Sequence, residues 1–239
     1  MDHEKSRLSF GAAATDYDTH RPTYPAEALR WLLGERPLRV VDLGAGTGLL
    51  TRVLVALGHE VLPVEPDPGM RAQLDAATPG VTALDGSAEH IPLPDASVDA
   101  VVAGQAYHWF DRDRAHPELA RVIRPGGVFG PVWNMRDESV PWVAELTSIT
   151  SSGDGSRRES FLVGDFGPLF EPPVSAKFPH DMPMTADSLV ALMSTRSYYL
   201  TSPPERQEEV RAGIRELAAG LPETFAMPYQ TVVYRGVRR

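Results

Sequence analysis

The chain contains no cysteine. That excludes disulfides, thiolate nucleophiles and cysteine-ligated metal together, and it fits a cytoplasmic setting. Long apolar runs are also missing: no stretch of about 18 apolar residues occurs, so no membrane span is expected. Residues 1–10 are polar and charged with no apolar centre, unlike a signal peptide. Positive charge is scarce. The formal net charge is −9, and lysine occurs only at Lys5 and Lys177. A general nucleic-acid footprint is therefore absent and no nucleic-acid partner is expected. The preference for arginine over lysine reads as the codon usage of a GC-rich bacterial genome. His59, His90 and His180 stand alone, without the i,i+4 spacing of metal ligands, so no metal is expected. A Gly-x-Ser-x-Gly nucleophile elbow is absent too. What remains is a chain of 239 residues, 42% hydrophobic: enough for one well-buried domain and short for two. Its oligomeric state is left open between monomer and homodimer.

The densest signal runs from Val40 to Gly48. Leu38, Val40, Val41 and Leu43 enter it as a buried strand, Gly44, Gly46 and Gly48 make a tight turn, and an amphipathic run leaves it to Leu57. Such a turn brings a ligand close to bare backbone at a helix start. A phosphate-binding P-loop needs Lys-Ser or Lys-Thr after the last glycine, whereas Leu49 and Leu50 follow Gly48. A dinucleotide fingerprint needs Gly or Ala where Leu49 stands. The pattern left is acidic-x-Gly-x-Gly-x-Gly, with Asp42 as the acid. It resembles the first motif of class I S-adenosylmethionine-dependent methyltransferases.

The surrounding pattern alternates. Helices are predicted over 24–34, 47–57 (closed by Gly58), 67–77 and 114–123, the last ended by Pro125-Gly126-Gly127. Strands are predicted over 38–43, 60–65, 81–84, 98–103 and 127–133. This is a doubly wound α/β, Rossmann-like, mostly parallel sheet. Pro63 conflicts with it, because proline removes a ladder donor from what should be an interior strand. Further on, 151–173 reads as a long surface connection. Strands at 174–180 and 224–235 and helices at 185–194 and 204–219 follow, and the late strands would bring the sheet to seven. The expected organisation is a single domain over 1–239: an N-terminal lid to residue 34, a donor-binding core over 35–135, and acceptor-side helices and last strands over 136–239.

In such a sheet ligands lie at the carboxyl ends of the strands. The turn of Gly44, Ala45, Gly46, Thr47 and Gly48 suits the carboxylate and ribose side of an amino-acid nucleoside, and Asp42 suits its ammonium. Glu65, ending the second strand before Pro66 and Met70, can accept from both ribose hydroxyls. Gly86-Ser87-Ala88-Glu89 follows the third strand and can face an adenine edge. Gln105 to Phe110 follows the fourth, where a reactive methyl would lie. His108 is the candidate general base or acceptor-positioning residue. Tyr107, Trp109, Trp133, Asn134 and Arg136 are candidates for the acceptor pocket, with Tyr198 and Tyr199 as a possible cover.

The resemblance extends over roughly residues 10 to 135. Phe10, Ala14, Tyr17, Arg21, Pro22, Tyr24 and Pro25 look like the N-terminal signature of a group related to trans-aconitate methyltransferase. Val41–Gly48, Val64–Pro66, Gly86–Pro92, Val98–Phe110 and Leu119–Gly127 look like a methyltransferase-11 type domain. The resemblance implies a seven-stranded sheet with an antiparallel last strand and S-adenosylmethionine as methyl donor, with S-adenosylhomocysteine as product. It also implies that Tyr17 and Arg21 help close over the donor. Many members of the family that the chain resembles carry aspartate where Ser87 stands, so Ser87, Glu89 or main chain must serve the adenine. The acceptor is expected to be a small molecule: a carboxylate, hydroxyl, amine or carbon. Two other functions share these features, a non-catalytic S-adenosylmethionine-binding protein and an NAD-dependent oxidoreductase.

Overall fold

The computed structural model describes residues 21–150 and 164–239. These fold as two compact units. One, the glycine-turn unit, comprises 23–134, 164–178 and 231–239; the other, the helix-rich unit, comprises 21–22, 135–150 and 179–230. The strands are β1 (Arg39–Leu43), β2 (Glu60–Val64), β3 (Val98–Gly104), β4 (Ile123–Arg136), β5 (Val174–Met184) and β6 (Phe225–Val237). The helices are α1 (Ala26–Leu33), α2 (Leu49–Ala56), α3 (Pro68–Ala77), α4 (Arg112–Val122), α5 (Pro141–Thr150), α6 (Ala186–Ser194), α7 (Ser197–Leu200) and α8 (Pro204–Ala219). Among the described residues no helix is long and apolar enough to cross a membrane.

The sheet has six strands in the order β2-β1-β3-β4-β6-β5. β1 pairs in parallel with β2 and β3, and β3 with β4. The last strands are antiparallel. Gly126 N–H donates to Arg238 O and Arg238 N–H to Gly127 O, while Glu171 N–H donates to Val237 O and Arg239 N–H to Leu169 O. Val40, Val41, Ala100, Val101 and Val102 are wholly buried, as parallel strands covered on both faces must be.

The seventh strand, predicted over 81–84, shrinks to one parallel bridge between Val64 and Leu84. Leu84 N–H donates to Pro63 O at 2.8 Å and Glu65 N–H to Leu84 O at 3.0 Å. The next rung of a parallel ladder would run from the N–H of residue 63 to the carbonyl of residue 82. Proline has no N–H, so pairing stops there. Ala83 N–H turns instead to the Asp75 carboxylate at 2.8 Å. Pro63 is thus accommodated inside β2, on the side away from β1.

Other boundaries shift for local reasons. The fourth predicted helix ends at Val122, and Pro125-Gly126-Gly127 lies inside β4, where the register with β3 slips between Val98 and Ala100. A Cβ at Gly127 would lie 2.5 Å from Asp99 O, so the slip needs glycine. Thr185 and Ser188 form a reciprocal capping box that starts α6. In the helix-rich unit α5, α6 and α8 bury Val143, Leu146, Leu189, Leu192, Val210 and Ile214 against one another. In the glycine-turn unit Leu29 and Leu32 of α1 and Leu50 and Leu54 of α2 pack with Val40, Ala100 and Val132.

Candidate functional site

The glycine turn joins β1 to α2. Gly44, Gly46 and Gly48 have φ of 69°, 57° and 85°, a region costing other residues about 1–2 kcal/mol each. A Cβ at Gly44 would meet Ala106 Cβ at 2.7 Å, and one at Gly48 would meet Leu74 Cγ at 2.8 Å; one at Gly46 would meet nothing within 4 Å. Packing therefore demands the outer glycines, while the middle one faces open space. The turn's N–H groups, predicted to greet a ligand carboxylate, are already used. Gly44 and Ala45 donate to Val64 O at 2.8 and 3.2 Å, and Gly48 donates to Ala45 O at 3.0 Å. Gly46 N–H donates to Glu65 Oε2 at 2.9 Å. At these four positions the turn offers room, not donors. Thr47, between them, is buried.

Asp42 lies on the strand feeding the turn and is 1% exposed. Its Oδ2 accepts the Thr51 hydroxyl at 2.6 Å. Its Oδ1 is buried and has no hydrogen-bond partner among the described residues. Burial, reinforced by the charge of Glu65, pushes the carboxyl up to about 7 against the Thr51 hydrogen bond. A buried carboxylate with one oxygen unmet is costly, and a cation there would repay it.

Glu65 is also buried. Its Oε1 accepts Asp67 N–H at 2.9 Å and its Oε2 takes Gly46 N–H. A carboxylate oxygen has two acceptor positions, so each retains one. Burial raises its pKa, opposed by the two N–H groups. Arg71 fixes the strand end, donating to Glu65 O (2.7 Å), Pro66 O (2.8 Å) and Asp85 Oδ1 (3.0 Å). Asp67 caps α3 by accepting Met70 N–H at 2.9 Å, and Met70 is buried. Thr51, Asp67 and Arg71 position this edge, and sequence reading passed over them as site residues. Asp67 before Pro68 is an N-cap signature, but nothing local to Thr51 or Arg71 announces partners so far back along the chain.

The loop after residue 84 closes on itself. Ser87 and His90 exchange backbone hydrogen bonds of 3.0 and 3.2 Å. Ser87 Oγ accepts Glu89 N–H at 3.3 Å, and Glu89 Oε1 accepts Asp111 N–H at 3.0 Å. Ala88 is buried. Beyond β3, Gln105 has φ 57°, strain of about 1–3 kcal/mol for a residue with a side chain. It is held by its N–H to Val132 O (2.8 Å) and its Nε2 to Asn134 O (3.2 Å).

Three candidates for the acceptor pocket are buried among neighbouring side chains. Tyr107 is fully buried, and its hydroxyl meets His116 Nε2 at 2.8 Å. Its ring stands edge-on to Phe110, Phe129, Trp133 and Phe166, with the Arg112 guanidinium 4.8 Å from its centre. Burial pushes its phenol up to about 12. Trp133 is buried against Tyr107 and Tyr234. Asn134 ties three segments: its Nδ2 donates to Thr23 O (3.1 Å), its Oδ1 accepts Thr231 Oγ1 (2.6 Å), and its carbonyl takes Gln105. His108 and Trp109 remain half-buried, their rings 4.7 Å apart on a short 3-10 turn over Tyr107–Trp109. Arg21 and Arg136 belong to the helix-rich unit. There Arg21 Nη2 donates to Thr195 O at 3.2 Å. Tyr17, like Phe10 and Ala14, lies outside the described residues.

The chain is similar to known methyltransferases. A family profile described as "Methyltransferase domain" matches residues 41–130. An uncharacterized methyltransferase of Mycobacterium tuberculosis is 45% identical over 237 residues, covering 95% of each chain. An uncharacterized methyltransferase-like protein of Schizosaccharomyces pombe is 33% identical, covering 95% of this chain and 94% of its own. The solved structure of a putative type II methyltransferase from Anaeromyxobacter dehalogenans aligns with a TM-score of 0.60 at 28% identity, covering 91% of this chain and 96% of that one.

Proposed function

Because this chain belongs to the class I S-adenosylmethionine-dependent methyltransferases, we propose that its glycine turn holds S-adenosylmethionine and that the chain methylates a small-molecule acceptor. The observation that carries the reading is Asp42 Oδ1, on the strand that feeds the turn: a buried acceptor without a donor among the described residues. Such an oxygen suits a cationic ligand, as an amino-acid nucleoside with an ammonium is. The open space at Gly46 supports it, since that glycine is not required by packing. Glu65 supports it as well: both oxygens are oriented by backbone N–H groups and each keeps a lone pair for a ribose hydroxyl.

When bound, the donor supplies an electrophilic methyl on a sulfonium. The protein's part is then alignment and exclusion of water. Arg71 and the Asp67 cap hold Glu65 in place. Asp42 neutralises positive charge. The Ser87–Glu89 loop borders the adenine side, by main chain or by side chain. Gln105 holds the strand end beneath the reacting centre, and His108 accepts a proton where the acceptor has one to lose. A carboxylate acceptor needs no base.

Calorimetric titration with S-adenosylhomocysteine and, separately, NAD tests the donor site. The expected result is binding of the first alone, weakened in Asp42→Asn. Absence of S-adenosylhomocysteine binding, or an unchanged affinity in that variant, overturns the assignment. S-adenosylhomocysteine formation across an acceptor panel tests turnover; donor binding without any transfer would favour a non-catalytic binding protein.

A further inference from the structure

The helix-rich unit carries a cationic cluster that the donor site does not use. Arg136 ends β4, Arg196 lies between α6 and α7, and Tyr229 lies on β6. Among the described residues the Arg136 guanidinium has a single hydrogen bond, to the thioether of Met193 at 3.5 Å. Neither Arg136 nor Arg196 is ion-paired among the described residues. Met193 and the strand pairing bring the three together: Arg136 reaches the Met193 thioether, Arg196 N–H donates to Met193 O at 3.2 Å, and Asp137 N–H donates to Pro228 O at 2.9 Å, which sets the end of β4 beside Tyr229. Tyr229 is 1% exposed, and its hydroxyl has no hydrogen-bond partner among the described residues. Its ring stacks on His180 at 5.6 Å, which fixes its orientation.

This is an expensive arrangement for a protein standing alone. A half-buried cation without a counter-ion costs free energy, and a second cation beside it adds to the cost. Burial, with the Arg196 charge, brings Arg136 down to about 10. A thioether is a poor substitute for a carboxylate. A guanidinium fork presents paired donors at the spacing of two oxygens on one carbon or one phosphorus. A phenol hydroxyl beside it supplies one more donor.

We propose that Arg136, Arg196 and Tyr229 form an oxyanion-binding site that takes the carboxylate or phosphate group of a small molecule. The inference stands on the geometry of this unit. Its link to the acceptor rests on the proposed methyl transfer.

The test is calorimetry on the full chain in a chloride buffer, with S-adenosylhomocysteine present, using malonate, inorganic phosphate and neutral dimethyl malonate as probes. Malonate or phosphate is expected to bind and the diester not. A preference for malonate assigns a carboxylate ligand, and a preference for phosphate a phosphorylated one; either supports the site. Arg136→Gln and Arg196→Gln should each weaken the preferred anion at least tenfold and Tyr229→Phe several-fold, with S-adenosylhomocysteine affinity unchanged within twofold. Tyr229→Phe removes only the hydroxyl, so it keeps the test alive if an arginine variant fails to fold. No anion binding to the native chain, or equal binding to Tyr229→Phe and Arg136→Lys, overturns the proposal. Loss of S-adenosylhomocysteine binding alone would strike the donor reading and leave this one standing.

Discussion

Among the described residues the two units hold opposite kinds of unfinished business. In the glycine-turn unit it is a buried acceptor: Asp42 Oδ1 has no donor there, and Glu65 sits near enough to raise its pKa further. In the helix-rich unit it is a set of donors: the half-buried Arg136 and Arg196 have no acid among the described residues, and the buried Tyr229 hydroxyl no acceptor. Other charges are met within the chain. Arg121, for example, binds Glu118 and Asp95 and two backbone carbonyls. The contrast teaches how an uncompensated polar group suggests its ligand: a cationic one is proposed for the first unit and an anionic one for the second.

The largest effect should come from removing the negative half. The Asp42 carboxyl is raised from 3.8 to about 7. Below 3.8 it is protonated both folded and unfolded. As pH rises the unfolded chain ionises first, so folding stability is lost progressively until about pH 7 and then levels. Asp42→Asn should abolish that slope and leave the unliganded protein more stable at pH 8 by up to about 4 kcal/mol. Urea unfolding at pH 5 and pH 8 measures it; identical slopes in native and variant protein would refute it. Donor affinity should move the other way in the native chain, rising from pH 6 to 8 as the carboxylate forms.

Next in size is Gly46→Val. The added Cβ meets nothing within 4 Å, so beyond the ~1–2 kcal/mol that a positive φ costs any side chain the loss should fall on the ligand: about 10- to 100-fold in S-adenosylhomocysteine affinity, the ~1–3 kcal/mol of an overfilled contact. Gly44→Ala should instead destabilise the free chain, because its Cβ meets Ala106. If thermal melts show the two variants equally unstable, the middle glycine is structural after all. Glu65→Gln keeps one carbonyl acceptor and should cost about 1–2 kcal/mol of donor binding, the scale of a lost charge-assisted hydrogen bond. Equal affinity by calorimetry would remove Glu65 from the site. Smallest is Tyr107→Phe, which breaks the bond to His116. It should lower stability by about 1 kcal/mol in urea unfolding and leave donor affinity alone.

Much of this was legible in residue order. The strand, glycine turn and helix from Leu38 to Leu57 announce themselves, because each step there is local. Helix α8 runs from Pro204 to Ala219 as its proline and closing glycine predict. Helix α5 went unread, although Val143, Leu146 and Thr150 share its buried face, because a proline and β-branched residues blur the period. The missing seventh strand was written in Pro63, but its meaning depended on which edge the nitrogen faced. The committed N–H groups of the turn could not be read, since their acceptors, Val64 O and Glu65, lie some twenty residues away. The same holds in part for Tyr107, whose ring packs not only on nearby Phe110 but on Phe129 and Phe166, far along the chain.

Pro63 has one more effect. It lies in β2, the terminal strand of the six, and beyond it only Leu84 is bridged. A rim lacking one amide hydrogen cannot template a continuous ladder with a stranger's strand any more than with residue 82. The residue that shortens the sheet from within thereby also guards it from polymerising with its own copies.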